Sequence, residues 1–453
     1  MKIIIIGGGT VGAAICAELS EEGHDITVID TELSNITELS NICDVFGIVG
    51  SGADVSVLKK ADADKSQLVI AVTSSDEINL LSCAAARKLG AKHTVARVRN
   101  PEYSELMLLM KDDMNLSMAI NPELAAAKAI YRTLRYPSAA KVETFYRGKV
   151  DVVEFALPAD SPACNKSLIE LRSAFKCKFL VCGVTRGDDT YIPSGDFVLQ
   201  AGDVIGVTAP DDELTHLFKS IGVFKHPIHD LVIVGGGRVS FYLASLLQHT
   251  KIATTVIEKD KDLCYDLIEA FDCTVVNEDG TKQEVLLEAG IEKADAFIAL
   301  LDRDEQNAIT SLYAKSCAVP KVISLIKELS YVNFYKDMGL ESIITPKSIT
   351  AADLLRYVRA MSQDNTSEIE SLHKIMGGKA EALEFTVKGE IEGVTDLPLK
   401  KLRPRSGVLI ACIIHNNKII IPTGDDCITK GDTVLVVTSN DVNINSIKDI
   451  LTR

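Results

Sequence analysis

Three glycines near the start of the chain have the spacing of a phosphate-binding turn. Gly7, Gly9 and Gly12 form the pattern G-x-G-x-x-G. The pattern follows the apolar run Ile3 to Ile6, which we predict to be a buried strand, and precedes a helix predicted over Val11 to Leu19. In such a unit the glycines allow a tight turn and close approach of a pyrophosphate, which the free amides at the helix start then bind. The candidate phosphate-binding residues are Gly7, Gly8, Gly9, Thr10, Val11 and Gly12.

An acidic residue follows at the distance expected of a ribose-binding site. Asp30 ends the second predicted strand, Ile26 to Ile29, and lies 18 residues after Gly12. A carboxylate at this position accepts hydrogen bonds from ribose hydroxyls. It also repels a 2′-phosphate, so the pattern favours an NAD-type ligand over an NADP-type one. The alternative is a glycine turn that serves only the packing of the helix.

Polar residues follow two further predicted strands. Thr73 and Ser74 come after the fourth strand, and Arg97 and Arg99 lie around the end of the fifth. The carboxyl ends of strands line the ligand crevice of a doubly wound sheet, so these side chains are candidates for contacts to phosphate, ribose or adenine. Two alternatives stay open. The hydroxyls could instead cap a helix predicted over Glu77 to Leu89, and the arginines could form surface ion pairs.

The chain repeats this pattern in its second half. Residues 3–12 read IIIIGGGTVG and residues 231–240 read LVIVGGGRVS, at a constant offset of 228 positions. The same offset relates Asp30 to Glu258. One offset that holds over about a hundred residues indicates a duplicated domain.

A shorter pair of matching segments completes the duplicated unit. Residues 192–203 read IPSGDFVLQAGD and residues 421–432 read IPTGDDCITKGD. The unit therefore has a large part followed by a small part, and it occurs twice. The predicted domains are residues 1–136, 137–224, 225–362 and 363–453.

The second glycine loop departs from the full pattern. Ser240 occupies the third glycine position, and Glu258 replaces the aspartate. Arg238 offers an additional phosphate contact, but the residues that follow the fourth strand are no longer Thr-Ser-Ser. Occupancy of this half by a nucleotide therefore stays open. Its candidate ligand residues are Gly235, Gly236, Gly237, Arg238, Val239 and Glu258.

The predicted fold class is α/β. Apolar strands alternate with helices in the large parts, which predicts two Rossmann-like, doubly wound parallel sheets covered on both faces. Each is followed by a small, β-rich α+β domain, for which a hairpin over Phe179 to Thr185 and Tyr191-Ile192 is typical. Helices predicted over Pro122 to Leu134 and Ser348 to Met361 connect large and small parts.

The composition of the chain argues against several classes of function. The net charge of −15 disfavours nucleic acid and direct adhesion to an anionic membrane, although a locally basic patch stays open. No apolar run reaches about 18 residues, so we expect no transmembrane helix. The eleven cysteines include no C-x-x-C pair, so no metal site is expected, and they fit a reducing cytoplasm. The histidines His216, His226 and His415 have no motif partner, so we predict a sensor rather than an enzyme.

These features together resemble the regulatory subunits of Trk potassium uptake systems, which have two RCK (KTN) domains, each followed by a TrkA-C domain. The resemblance covers essentially the whole chain. It rests on IIIIGGGTVG with Asp30, AVTSSDEIN at residues 71–79, ARVRNPEY at residues 96–103, and the repeated IPSGD and IPTGD. Matching positions imply that Gly7 to Gly12, Asp30, Thr73, Ser74 and Arg99 bind the ligand.

The resemblance also implies a function. Such proteins form a cytoplasmic ring, commonly of four chains, beneath a multi-span membrane potassium channel or transporter. They bind NAD(H) and adenine nucleotides such as ATP and ADP, and ligand exchange gates the membrane partner. The alternatives are an NAD-dependent oxidoreductase and a nucleotide sensor that acts on a non-transport partner.

Overall fold

The computed structural model describes every residue except 102, 104–115, 147–148, 176, 224–226, 363–368, 443, 445 and 453. In this part of the chain four sheets follow one another, two parallel and two antiparallel. They confirm the predicted fold class of two doubly wound sheets, each followed by a small β-rich domain. The predicted domain boundaries stay predictions, and those at 224/225 and 362/363 border residues outside the described set.

The first large domain is a six-stranded parallel sheet with the order β3-β2-β1-β4-β5-β6. Its central strand is buried on both faces, since Ile3, Ile4 and Ile5 are fully inaccessible to solvent. The strands are β1 (Lys2–Ile6), β2 (Asp25–Asp30), β3 (Val45–Val49), β4 (Leu68–Ala71), β5 (His93–Arg97) and β6 (Met118–Ile120). The helices are α1 (Thr10–Glu21), α2 (Leu33–Ile42), α3 (Val55–Lys60), α4 (Asp76–Leu89) and α5 (Pro122–Arg135).

The first small domain is a five-stranded antiparallel sheet with the order β10-β9-β11-β8-β7. The predicted hairpin is present as β9 and β10. The strands are β7 (Lys141–Phe145), β8 (Val150–Ala156), β9 (Leu180–Arg186), β10 (Asp189–Tyr191) and β11 (Val204–Thr208). Two helices not predicted from the sequence accompany them, α6 (Leu168–Phe175) and α7 (Asp211–Ser220).

The second large domain repeats the first, with the parallel order β14-β13-β12-β15-β16-β17. The strands are β12 (Asp230–Val234), β13 (Ala253–Glu258), β14 (Thr274–Asn277), β15 (Ala296–Ala299), β16 (Lys321–Leu325) and β17 (Ser342–Ile344). The helices are α8 (Arg238–Leu247), α9 (Lys261–Ala270), α10 (Gln283–Glu288), α11 (Asp304–Ser316), α12 (Val332–Asp337) and α13 (Pro346–Ser362).

The second small domain repeats the antiparallel order as β18-β19-β22-β20-β21. Its strands are β18 (Ile369–Ile375), β19 (Ala380–Thr386), β20 (Val408–His415), β21 (Lys418–Ile420) and β22 (Thr433–Ser439). His415 precedes the tip of the β20–β21 hairpin, where Asn416 and Asn417 have positive φ angles of 50° and 64°. Two consecutive residues of this kind are typical of a tight two-residue turn.

The last helix of each large domain packs against the other large domain. Helix α5 contacts α8, and its Ala126 and Ile130 belong to the core of the second sheet. Helix α13 contacts α1, and its Leu354 and Val358 belong to the core of the first sheet. The two large domains are therefore joined by an exchange of helices, which the order of elements along the chain does not reveal.

The two small domains also share a core. Phe145 and Cys182 of the first pack with Ile375 and Cys412 of the second in one buried cluster. Two equivalent hydrogen bonds cross this contact and lie 230 positions apart in the repeat. The Tyr146 amide donates to Glu384 Oε2 at 3.3 Å, and the Met376 amide donates to Glu154 Oε1 at 2.8 Å.

Candidate functional site

The first glycine loop is shaped by two positions that only glycine fits. Gly7 has a φ angle of +102°, and a Cβ there would lie 2.9 Å from the Thr73 amide nitrogen. A Cβ on Gly12 would lie 1.9 Å from the carbonyl oxygen of Gly7, closer than any contact between non-bonded atoms. These two glycines therefore serve the packing of the loop against the sheet and against its own helix.

Gly9 is different, because no contact within the described part of the chain requires a glycine there. Among the described residues, no heavy atom lies within 4 Å of the position that its Cβ would take. Its φ and ψ angles of −70° and −167° are open to any residue. Helix α1 begins directly after it without a side-chain cap, so its first amides receive no hydrogen bond from the N-cap side chain. The loop is thus open on the side where phosphate oxygens would bind.

Asp30 lies beside this loop at the carboxyl end of β2. Its Oδ2 accepts a hydrogen bond from the Gly8 amide at 2.6 Å, and its Oδ1 accepts one from the Glu32 amide at 2.8 Å. The carboxylate is partly exposed. Each oxygen can accept a second hydrogen bond, so the group can bind the hydroxyls of a ribose without losing its protein partners.

The segment after β4 uses its polar side chains in two ways. Ser75 caps α4 by accepting a hydrogen bond from the Ile78 amide at 3.2 Å, as the capping alternative requires for this residue. The Thr73 hydroxyl points inward and donates to Asn79 Oδ1 at 2.7 Å. Ser74 is exposed at the same edge of the sheet. The segment therefore exposes the Ser74 hydroxyl at this edge, whereas the Thr73 hydroxyl is occupied by its hydrogen bond to Asn79.

Asn79 connects three parts of this edge, and no sequence motif selects it, although an asparagine recurs 228 positions later as Asn307. It is fully buried. Its Oδ1 accepts from the Thr73 amide at 2.7 Å, and its Nδ2 donates to the carbonyl oxygens of Thr73 at 3.2 Å and Arg97 at 2.9 Å. Asn307 makes the equivalent bonds to Leu301 and Leu325 in the second large domain.

We expect Asn79→Ala to lower the free energy of unfolding by about 2 kcal/mol, because the part-buried Thr73 amide and Arg97 carbonyl oxygen lose their hydrogen bonds to Asn79. Chemical denaturation measures this change. Ser75→Ala is the control, since it removes a single cap and should cost about 1 kcal/mol. Equal stability of Asn79→Ala and the wild type would show that the network does not hold the edge together.

Two arginines line the same edge. Arg97 donates to the Thr73 carbonyl and Arg99 donates to the Ser74 carbonyl. Arg99 also lies 3.5 Å from Asp76 Oδ1. The Nε of Arg97 is buried and has no hydrogen-bond partner in the described part of the chain. Burial lowers the pKa of Arg97, and the positive charges of Arg99 and Arg238 add to that effect.

Helix α8, which begins at Arg238 of the second glycine loop, reaches this edge of the first sheet. Helix α8 is fixed there by Tyr242, whose hydroxyl donates to the Arg99 carbonyl oxygen at 2.7 Å. The same hydroxyl accepts from Asn121 Nδ2 at 2.8 Å. Arg238 lies one helical turn before Tyr242 on the same face of α8. Sequence patterns could not join these residues, since more than a hundred positions separate Arg99 and Asn121 from Tyr242.

The second glycine loop has the same form with tighter packing. Gly235 has a φ angle of +103°, and the Ser240 hydroxyl donates to the Gly235 carbonyl. Glu258 is 9% exposed, and its carboxylate accepts from the amides of Gly236 at 2.5 Å and Asp260 at 2.7 Å. Like Gly9, Gly237 has open space at its Cβ position. The loop is therefore intact, and whether it holds a nucleotide stays a prediction.

A cavity of about 340 Å³ lies at the carboxyl edge of the second sheet. Lys327 crosses this cavity and donates to the Asp302 carbonyl oxygen at 2.9 Å. The cavity occupies the place where the first large domain has its Thr-Ser-Ser segment and its arginines. The lining residues are Asp302, Arg303, Asp304, Glu305, Lys327, Glu328 and Tyr331.

The remaining candidates among the described residues do not join the glycine loops. His415 lies in the second small domain with its Nδ1 2.6 Å from Asp432 Oδ1, and His226 lies outside the described residues. Within the described ranges, no group of three or more His, Cys, Asp or Glu side chains could hold a metal ion. None of the helices described has the length and apolarity needed to cross a bilayer.

Two domain families match the chain, each of them twice. The TrkA-N domain matches residues 3–122 and 231–346, and the TrkA-C domain matches residues 152–222 and 394–452. Among related proteins, the Trk system potassium uptake protein TrkA homolog 2 of Methanosarcina mazei is 31% identical, over 96% of this chain and 97% of its own length. The TrkA homolog of Archaeoglobus fulgidus is 30% identical, over 99% of this chain and 100% of its own.

Solved structures share the fold at low sequence identity. The GsuK RCK domain superposes with a TM-score of 0.63 at 17% identity, over 97% of this chain and 92% of its own. The GsuK channel bound to NAD gives a TM-score of 0.64 at 18% identity, over 97% of this chain and 77% of its own. GsuK bound to ADP gives 0.52 at 15% identity, over 80% of this chain and 69% of its own. The two domain matches in repeated order and the relatives along nearly the whole chain confirm the resemblance, and the protein belongs to the TrkA family of Trk system potassium uptake proteins.

Proposed function

We propose that this protein is a nucleotide-binding regulatory subunit that gates a multi-span membrane potassium channel or transporter of the Trk type. It binds NAD(H), and adenine nucleotides such as ATP and ADP, at the first glycine loop. It acts as a ring, commonly of four chains, at the cytoplasmic face of the membrane, and it catalyses no reaction. The observation that carries the proposal is the hydrogen bond from the Tyr242 hydroxyl of the second large domain to the Arg99 carbonyl oxygen at 2.7 Å, which holds helix α8 and its first residue, Arg238, at the edge of the first sheet.

The physical argument concerns differential affinity. A ligand can shift a conformational equilibrium only as far as it binds one arrangement more tightly than another. Phosphates held by the loop at Gly7 to Gly12 and also by Arg238 depend on the relative position of two domains. A difference of about 1.4 kcal/mol between arrangements would shift their ratio tenfold. Loss of the Arg238 contact on exchange of a longer for a shorter nucleotide supplies such a difference.

The comparisons support the choice of ligand and partner. GsuK, whose fold this chain shares, has been solved with NAD and with ADP. Relatives along nearly the whole chain are named for potassium uptake by the Trk system. The partly exposed Asp30, with spare acceptor capacity, fits the unsubstituted ribose of NAD(H) and of ATP and ADP equally.

Calorimetric titration of the purified chain tests the ligand assignment. NADH, NADPH, ATP and ADP are compared in wild type, Asp30→Ala and Glu258→Ala. Loss of binding in Asp30→Ala supports the first site, and a further loss in Glu258→Ala would reveal a second one. Potassium flux into vesicles that contain a Trk-type membrane subunit then tests gating. The proposal would be rejected if the chain bound no nucleotide. It would also be rejected if the potassium flux stayed the same whether or not the protein and the nucleotide were added.

We expect Arg238→Ala to weaken nucleotide binding at the first site about tenfold, as for one charge-assisted contact to phosphate. The titration is made in the Glu258→Ala background, so that a second site does not contribute. Arg303→Ala is the control, because it removes the same charge at the carboxyl edge of the second sheet. Equal affinities in both variants would place Arg238 outside the ligand site.

A further inference from the structure

One end of the first large domain carries a cluster of cations that the nucleotide site does not use. It lies at the amino edge of the parallel sheet, opposite the glycine loop. The lysines and the arginine come from the last turns of α3 and α4 and from the short segments that follow these helices. We call this surface the basic face, and its members are Lys59, Lys60, Lys65, Arg87, Lys88 and Lys92.

These segments form one continuous surface. The Asp62 amide donates to the Lys59 carbonyl oxygen at 3.1 Å, which folds the chain back at the end of α3. The Lys92 amide donates to the Ser66 carbonyl oxygen at 3.2 Å. The turn after α3 therefore lies directly beside the turn after α4, which places the ends of both helices on one surface.

Most of the cations on this surface are unpaired. The two segments include only two carboxylates, Asp62 and Asp64. Asp62 pairs with Lys2 at 2.8 Å and with Lys65 at 3.2 Å. The remaining four lysines are exposed, and none has an ion-pair partner in the part of the chain that the structure describes. They are Lys59, Lys60, Lys88 and Lys92.

The repeat shows that the fold does not require these cations. Lysines in the last turn of a helix complement its dipole, which is the ordinary explanation for one or two of them. The second large domain forms the same helices and turns without this cluster. At the positions equivalent to the four unpaired lysines it has Leu287, Glu288, Ser316 and Pro320.

We propose that the basic face binds an anionic phospholipid surface. Lysine is a flexible point charge, which suits a diffuse layer of headgroups better than a shaped pocket. Residues 59–65 and 87–92 expose no large apolar side chain, so this surface lacks the anchor that a peptide partner would use. The net charge of −15 does not prevent this contact, because salt screens charges beyond about 8–10 Å. The proposal is independent of nucleotide binding.

Sedimentation with vesicles tests the proposal on the full chain. The vesicles contain phosphatidylcholine alone or phosphatidylcholine mixed with phosphatidylglycerol, and no membrane protein. We expect binding only to the mixed vesicles, and a loss of that binding as salt is raised. Replacement of Lys59, Lys60, Lys88 and Lys92 by glutamine should lower the partition coefficient at least tenfold, as each lysine near such a surface contributes roughly fivefold.

A matched variant distinguishes an effect of the basic face on vesicle binding from an effect of the net charge. It replaces four exposed lysines of the second large domain, Lys251, Lys261, Lys282 and Lys293, by glutamine and has the same net charge. Unchanged nucleotide binding and helical content show that both variants are folded. The proposal is overturned if both variants lose vesicle binding to the same extent. It is also overturned if the wild type does not bind the mixed vesicles. Binding to polyglutamate but not to mixed vesicles would also overturn it, in favour of an acidic protein partner.

Discussion

Gly9→Ala is expected to fold as the wild type does and to bind NADH or ATP about a hundredfold more weakly, or worse. The added methyl group meets no atom of the described residues within 4 Å, and the φ angle of −70° suits alanine. The methyl group instead occupies the space above the loop where a pyrophosphate must approach the backbone. Steric conflict of this kind costs about 3 kcal/mol, which corresponds to about two orders of magnitude in affinity.

Two other glycines make this prediction specific. Gly12→Ala places its methyl group 1.9 Å from the Gly7 carbonyl oxygen, so it should destabilise the domain by about 3 kcal/mol. Gly237→Ala is the matched control, since this position is equally open in the second loop. Calorimetric titration and thermal unfolding of the three variants separate binding from folding. Full affinity in Gly9→Ala would mean that the nucleotide does not lie over this loop.

The first loop was predictable because its constraints are local. The glycine spacing, the strand before it and Asp30 after it all follow from contacts within about 30 residues. The strands were predictable for the same reason, since burial on both faces of a parallel sheet requires continuous apolar runs such as Ile3 to Ile6. The role of Thr73 was harder to predict from the sequence. Its hydroxyl looks the same in the sequence whether it points to a ligand or, as in the structure, to Asn79.

The contacts between domains could not be predicted from either half alone. An amphipathic helix such as α5 shows that it must bury one face, but nothing in its sequence identifies the sheet that covers that face. The sequence assigns Arg238 and Tyr242 only to the second glycine loop and to the helix that follows it. Only the exchange of α5 and α13 brings α8 to the edge of the first sheet. The candidate site therefore combines the first glycine loop, which the sequence predicts, with helix α8 of the other large domain, which it does not.

This exchange predicts that Val358→Asp damages the first large domain, although residue 358 lies far along the chain. Val358 is fully buried in α13, within the core of the first sheet. An aspartate there has no cation to pair with in that apolar cluster and should cost at least about 4 kcal/mol. Helix α13 should then leave α1, the helix that begins at the first glycine loop. We expect faster hydrogen exchange in β1 and α1. We also expect the loss of the same nucleotide binding that Asp30→Ala abolishes.

Ile130→Asp gives the reciprocal test, because Ile130 is fully buried in α5 within the core of the second sheet. It should speed exchange in β12 and α8 first. Ala352→Asp adds the same charge at an exposed position of α13 and should leave exchange and binding unchanged. If Val358→Asp loosened the second sheet and spared the first, each large domain would be closed by its own helix. Because the helices are exchanged, a ligand bound at the first loop would also constrain α13, the helix between the second sheet and its small domain. This is the connection that a nucleotide-driven change of shape requires.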